Sequence, residues 1–263
     1  MTEIDVLADL FFTDLAWEQR VERIAACGYR AIETWQGGDA AVLKRMADAG
    51  KGCGVALVSI VMNGPGDSKT APVMRENRGR FLEQIDRYAD HALAAGCRQG
   101  IVTTGPSAGG RSYPEQRQAL VEALRAAGER AAAKGFRLNL EPLNTEVDHP
   151  GYFLSSREDA VAIVKEVASE GVKLLYDIYH MEIMFGNQTA FIESHLASIG
   201  HFHAAGVPGR HEVFAGETNY PFLLQRLARA GYAGYVGLEY SPQMESAESL
   251  ARTLRHLSDN PAF

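Results

Sequence analysis

The chain has 263 residues, 46% of them hydrophobic and 22% charged, with a formal net charge of −7. That balance fits a globular protein with a substantial core and excludes a disordered or fibrous chain. The acidic total gives no support for nucleic-acid binding, which normally shows a basic face.

No apolar run approaches the roughly 18 residues of a membrane span, and no charged-then-apolar leader opens the chain. A soluble, cytoplasmic protein is therefore expected. Cys27, Cys53 and Cys97 form neither a CxxC pair nor a disulfide framework. They read as small buried thiols in a reducing compartment.

Taken in chain order, short apolar strand candidates fall at 4–8, 30–35, 55–62, 98–104, 136–141, 172–177, 199–206 and 235–240. Helix-period segments separate them, among them WEQRVERIAACG from Trp17, AAVLKRMADAGKG from Ala40, RENRGRFLEQIDRYADHALAAG from Arg75 and PEQRQALVEALRAAGERAAAKG from Pro114. In the third of these, Phe81, Ile85, Tyr88 and Leu93 recur near helical spacing, and Gly96 stands where a C-terminal cap belongs. Gly28, Gly50 and Gly135 read as caps of the same kind.

Strand followed by helix, repeated, implies parallel strands with right-handed crossovers. Eight such units over this length predict an α/β fold of one kind, a single (β/α)8 TIM barrel forming one domain over residues 1–263. A doubly wound dinucleotide-binding sheet lacks its mark, since no G-x-G-x-x-G follows the first strand. GPSAGG at 105–110 has no phosphate-loop lysine and reads as a glycine-rich turn. The longer loops at 63–72 and 205–220 follow strands, on the side where barrels build their active sites.

The ends of the last four strands carry polar groups: Glu141 in NLEPLN, Asp177 in VKLLYD, His203 in IGHFHA and Glu239 in VGLEY. A lone carboxylate at a strand end commonly caps a helix or pairs with an arginine. Four polar groups on consecutive strands should instead converge at the barrel mouth, where three carboxylates without a cation would repel one another. The set is oxygen-rich, suited to a divalent metal, Mg²⁺ or Mn²⁺, with Zn²⁺ as an alternative.

His180 reads either as a buried packing histidine or as a neutral imidazole that hydrogen-bonds a substrate oxygen. His201 shares the face of His203 but lies deeper. Arg210 and His211 are the nearest anion binders for a substrate, or else solvated loop charges. Phe11, Trp35 and Phe214 read as core packing, with a pocket wall or a subunit contact in a homo-oligomer as the alternative.

EPLNTEVDHPGYFLSS, LLYDIYHMEIMFGN, IGHFHAAGVPGRHE, GETNYPFLL and GYAGYVGLEYSP together resemble the hydroxypyruvate isomerase family. That family belongs to the xylose-isomerase-like barrel superfamily, with ketose 3-epimerases and an endonuclease branch. The likeness is dense from Leu138 to Pro242 and thinner before it. It implies that Glu141 and Glu239 are the catalytic acid/base pair and, with Asp177 and His203, hold the metal.

The implied reaction interconverts hydroxypyruvate and tartronate semialdehyde through a metal-stabilised enediolate. His180 and Arg210 would bind the small-molecule substrate, and Asn63 would line its pocket. Several hydroxypyruvate isomerases look to have Gln where this chain has His203, a departure toward the epimerases. A ketose 3-epimerase or 2-oxo-tetronate isomerase with the same site therefore stays open, favoured by a longer pocket or the lack of a carboxylate-binding arginine. A non-catalytic sugar-binding barrel would not need both glutamates. The endonuclease branch needs histidines near the ends of strands three and four, where this chain has Asn63 and Thr103.

Overall fold

In a computed structural model, which describes residues 2–258, every apolar run expected as a strand becomes one stave of a closed parallel barrel. The staves are β1 (Glu3–Leu7), β2 (Ala31–Thr34), β3 (Ala56–Val61), β4 (Gln99–Val102), β5 (Arg137–Leu140), β6 (Val172–Asp177), β7 (Ile199–Ala204) and β8 (Tyr235–Leu238). Each pairs with its sequence neighbour, and β8 pairs back onto β1. The expected α/β barrel is thus the observed fold. The 1–263 domain estimate includes Met1 and residues 259–263, which lie outside the described residues.

Around the barrel lie α1 (Trp17–Ala26), α2 (Ala40–Cys53), α3 (Arg78–Ala94), α4 (Tyr113–Ala133), α5 (Arg157–Val167), α6 (Ile178–Met184), α7 (Gln188–His195), α8 (Tyr220–Arg229) and α9 (Ser246–Ser258). Their apolar stripes face inward: Val21 and Ile24 from α1, Phe81 and Ile85 from α3, and Leu120 and Leu124 from α4 are all at most 1% exposed. Each such side chain contributes about 1.5–3 kcal/mol by leaving water. Among the described residues no helix is long and apolar enough to cross a membrane.

Gly28, Gly96 and Gly135 end their helices in the left-handed region, as expected. Gly50 does not. It lies inside α2, which runs on to Cys53 and is closed by Gly54 at φ 74°. A Cβ at Gly50 would stand 2.3 Å from the Val55 carbonyl oxygen, so this glycine serves close packing rather than capping. Cys97 is buried as expected, whereas Cys27 and Cys53 are only partly so.

Strand register decides which side chains meet. Asp177 pairs with His203 across β6 and β7, and His203 pairs with Gly237 across β7 and β8. A Cβ at Gly237 would come within 2.4 Å of Glu33 Oε1 and 3.0 Å of His203 Cδ2. The missing side chain on β8 makes the room in which two polar side chains of other strands fit. Gly237→Ala should therefore destabilise the protein by about 1–3 kcal/mol through overpacking. The expected reading is a lower denaturant midpoint with an unchanged slope.

Candidate active site at the barrel mouth

The polar residues at the last four strand ends do converge. Glu141 is the first residue beyond β5, Asp177 the last of β6, His203 lies in β7 and Glu239 directly follows β8. None is more than 8% exposed. Their potential ligand atoms all lie within 4.8 Å of one another. His203 Nδ1 is 2.9 Å from Glu239 Oε2 and 3.8 Å from Glu141 Oε1. Asp177 also caps α6, its Oδ1 accepting from the Tyr179 backbone N–H at 2.8 Å.

Packing three carboxylates out of water has electrostatic consequences. Burial pushes Glu141 well above the usual carboxylate range, and Glu239 and Asp177 add to the rise against the pull of His203. Burial likewise pushes Asp177 up to about 6, with Arg210 and His203 opposing. Burial acts on Glu239 too, but there Arg210 and His203 outweigh it and hold the group ionised, well below its ordinary value. Burial disfavours a charged His203, yet Glu33 and Glu239 on either side raise its pKa well above the ordinary imidazole value.

Two atoms of the cluster test its fitness for a cation. Asp177 Oδ2 and His203 Nδ1 are buried and have no hydrogen-bond partner among the described residues. Both belong to the converging set, so a cation placed there would satisfy atoms that otherwise cost free energy. Three carboxylates and one imidazole fit a divalent ion.

A cavity of about 590 Å³ opens over the cluster, with Glu141, Glu239, Arg210, His180 and Asn63 in its wall. Asn63 shows its side chain to the cavity with the polar atoms already engaged, donating to the Thr103 carbonyl and accepting from the Thr103 N–H. Arg210 is not a free loop cation. Its Nη2 lies 2.6 Å from Glu239 Oε2 and 3.6 Å from Asp177 Oδ2. His211 faces elsewhere, its Nδ1 2.8 Å from the Ser241 carbonyl oxygen.

The hydrogen bonds around His180 fix its tautomer. Asn144 Oδ1 accepts from the backbone N–H groups of Val147 and Asp148, which turns the Asn144 NH₂ toward His180 Nδ1 at 2.6 Å. Nδ1 must then be the acceptor and Nε2 must carry the proton. Burial and the nearby Arg210 hold His180 neutral, well below its usual pKa. Nε2–H has no partner among the described residues and lies 3.4 Å from Asp177 Oδ2, beside the cluster.

Several residues escaped the sequence reading. Trp35, expected in the core, is 45% exposed in the cavity wall, and its Nε1–H donates to Glu239 Oε1 at 3.2 Å. Phe11 does pack in the core, edge-on to Tyr240, and Phe214 lies under the Arg252 guanidinium. Tyr88, Gln84 and His149 also line the cavity. Glu33, 1% exposed, hydrogen-bonds both His201 and His203 from below. It is the penultimate residue of the short strand AIET, and the same attention to polar groups near strand ends, applied to β2, would have found it.

Comparison with known proteins agrees with this architecture. A family model for the xylose isomerase-like TIM barrel matches residues 21–259. The chain is 33% identical over 247 residues to the 2-oxo-tetronate isomerase of Cupriavidus necator, covering 92% of this chain and 93% of that one. It is also 33% identical over 242 residues to the Homo sapiens protein named "Putative hydroxypyruvate isomerase", covering 88% and 86%. A crystal structure described as AP endonuclease, family 2 from Brucella melitensis superposes with a TM-score of 0.88 at 30% identity, over 97% of this chain and 98% of that one. The chain belongs to the xylose isomerase-like TIM barrel family.

Proposed function

We propose that the protein is an isomerase that moves a carbonyl between adjacent carbons of a short hydroxy-oxo acid, with hydroxypyruvate and tartronate semialdehyde as its substrate pair. The observation that carries this reading is the pair of glutamates, Glu141 and Glu239, which both face His203 Nδ1, at 3.8 and 2.9 Å, and both line one cavity. A carbonyl shift needs a proton taken from one carbon and a proton delivered to its neighbour. Two carboxylates flanking the same substrate meet that need, whereas a binding protein has no use for both.

Mg²⁺ or Mn²⁺ held by Glu141, Asp177, His203 and Glu239 would supply the positive charge that stabilises the oxyanions of an enediolate. His180 would donate Nε2–H to a substrate oxygen, its neutral state leaving a hydrogen bond without an added charge. Arg210 is the one Lys or Arg in the cavity wall among the described residues, and so the group to orient a substrate carboxylate. Trp35 holds Glu239 from the side away from Arg210, which restricts that carboxylate to one rotamer.

A second reading keeps the chemistry and lengthens the substrate. The cavity of about 590 Å³ is in the range that accepts ligands well beyond three carbons. The Cupriavidus necator relative is named for a four-carbon oxo acid. A 2-oxo-tetronate or a ketose would extend from the cluster toward Trp35 and Tyr88. The endonuclease description of one structural relative finds no support at the ends of β3 and β4, where Asn63 and Thr103 bond each other.

The cluster's electrostatics predict how a cation acts on stability. Asp177 rises from 3.8 to about 6 on folding, so the cation-free folded state holds this proton more tightly than the unfolded chain. This contribution to stability is therefore lost as pH rises from about 4 through about 6. Added Mn²⁺ should raise the melting temperature clearly at pH 8 and little at pH 5. Asp177→Asn should abolish that shift in a thermal-melt titration.

Activity is tested by incubating the Mn²⁺-loaded protein with hydroxypyruvate in D₂O and following the C–H signals by NMR. Exchange and carbonyl migration are expected, falling by about 10²–10⁴-fold in Glu141→Gln and in Glu239→Gln. Exchange with 2-oxo-tetronate or a ketose but not with hydroxypyruvate would select the second reading. No exchange with any of them would remove the isomerase.

A further inference from the structure

Below the cluster, inside the barrel, runs a chain of side chains that the proposed reaction does not use: the half-buried Arg137 and the buried Gln99, His201 and Glu33. From Gln99 onward, through His203, none is more than 6% exposed. Arg137 Nη2 lies 2.5 Å from Gln99 Oε1, and Asn139 Nδ2 lies 3.3 Å from the same oxygen. Gln99 Nε2 lies 3.4 Å from His201 Nδ1. His201 Nε2 is 3.1 Å from Glu33 Oε2, and His203 Nε2 is 3.2 Å from that oxygen and 3.0 Å from Oε1.

These contacts permit one polarity. A guanidinium only donates, so the side-chain atom of Gln99 that meets Arg137 is the carbonyl oxygen. The NH₂ of Gln99 then faces His201 Nδ1, which must accept, and the proton of His201 sits on Nε2. A carboxylate only accepts, so Glu33 takes the Nε2–H of His201 and the Nε2–H of His203. The other nitrogen of His203, Nδ1, faces Glu141 and Glu239, and when the ring gives up one proton to take a cation, this is the nitrogen left with the lone pair.

We infer that Glu33 is a positioning residue which, held in a fixed-polarity hydrogen-bond chain that starts at Arg137, keeps the proton of His203 on Nε2 and presents Nδ1 to the cation. The inference rests on the reading of Glu141, Asp177, His203 and Glu239 as a cation site, and it extends that site downward through the barrel. A carboxylate behind a ligating imidazole fixes the ring's tautomer and orientation and raises its basicity. Gly237 belongs to the same device, because any side chain there would meet Glu33 Oε1.

Glu33→Gln tests the inference with little change of shape. In either amide orientation an NH₂ comes to lie where an oxygen now stands within 3.2 Å of His203 Nε2. One of the two oxygens beside Nε2–H becomes a donor and the carboxylate's charge is lost, which loosens the hold on that proton and lets it pass to Nδ1, where it blocks the cation. Mn²⁺ affinity, read from the EPR signal of free Mn²⁺, should fall about tenfold or more in this variant. Long-range ¹H–¹⁵N spectra of ¹⁵N-histidine-labelled protein should show the His203 proton shifted in part from Nε2 to Nδ1 in the variant.

In the unaltered, Mg²⁺-saturated protein the same spectra should place the protons of both His201 and His203 on Nε2. That measurement decides the matter even if the variant fails to fold. A proton on Nδ1 of either ring, or a folded Glu33→Gln protein with wild-type Mn²⁺ affinity, would overturn the inference. Failure of the unaltered protein to bind Mn²⁺ would instead remove the cation site on which it rests.

Discussion

The mouth of the barrel is organised by the need to keep three buried carboxylates within reach of one another. Glu141, Asp177 and Glu239 each bring a carboxylate oxygen within 4.8 Å of the others, a separation at which their mutual repulsion is large in a protein interior. Arg210 and His203 are the cations the chain itself sets against them. The outcome is uneven: Glu239, touching both, stays ionised, while Glu141 rises well above its usual range. A site so biased toward negative charge has room for one more positive group, which is the physical reason to read it as a cation site.

That constraint propagates. Arg210 cannot serve Glu239 unless its loop brings it back over the mouth, and its backbone adopts φ 58° to do so. Trp35 is held out of the core because its indole N–H meets the other oxygen of Glu239. His180 is kept neutral, and its proton is aimed beside the cluster by Asn144. The interior below supplies the acceptor that His203 needs, through Glu33. Fold and chemistry therefore meet in the strand register, since Asp177 opposite His203 and His203 opposite Gly237 are facts of pairing.

Much of this was legible in the chain. Apolar runs alternating with helix-period segments carried the barrel, because a parallel stave buried on both faces must be apolar and its crossover helix must be amphipathic. The four polar strand ends stood out for the same reason: a charge that closes an apolar run has to be matched by something. Trp35, Glu33 and Asn144 were harder to see. An indole after a strand looks like core until its one polar atom finds a partner. A single glutamate in a four-residue strand gives no sign that it bridges two histidines 168 and 170 positions away.

The sequence by itself determined the fold class, the end of the barrel that carries the chemistry and the residue types assembled there. All of these follow from local periodicity and from the cost of burying charge. Only the tertiary structure decided that Arg210 lies inside the cluster, that the Asn63 amide is occupied by Thr103 and that the His203 ring is held between two carboxylates. Those are contacts between residues distant in the chain. Their geometry depends on barrel closure and register, which set the angle and depth of each side chain and leave no trace in the spacing of residues along the chain.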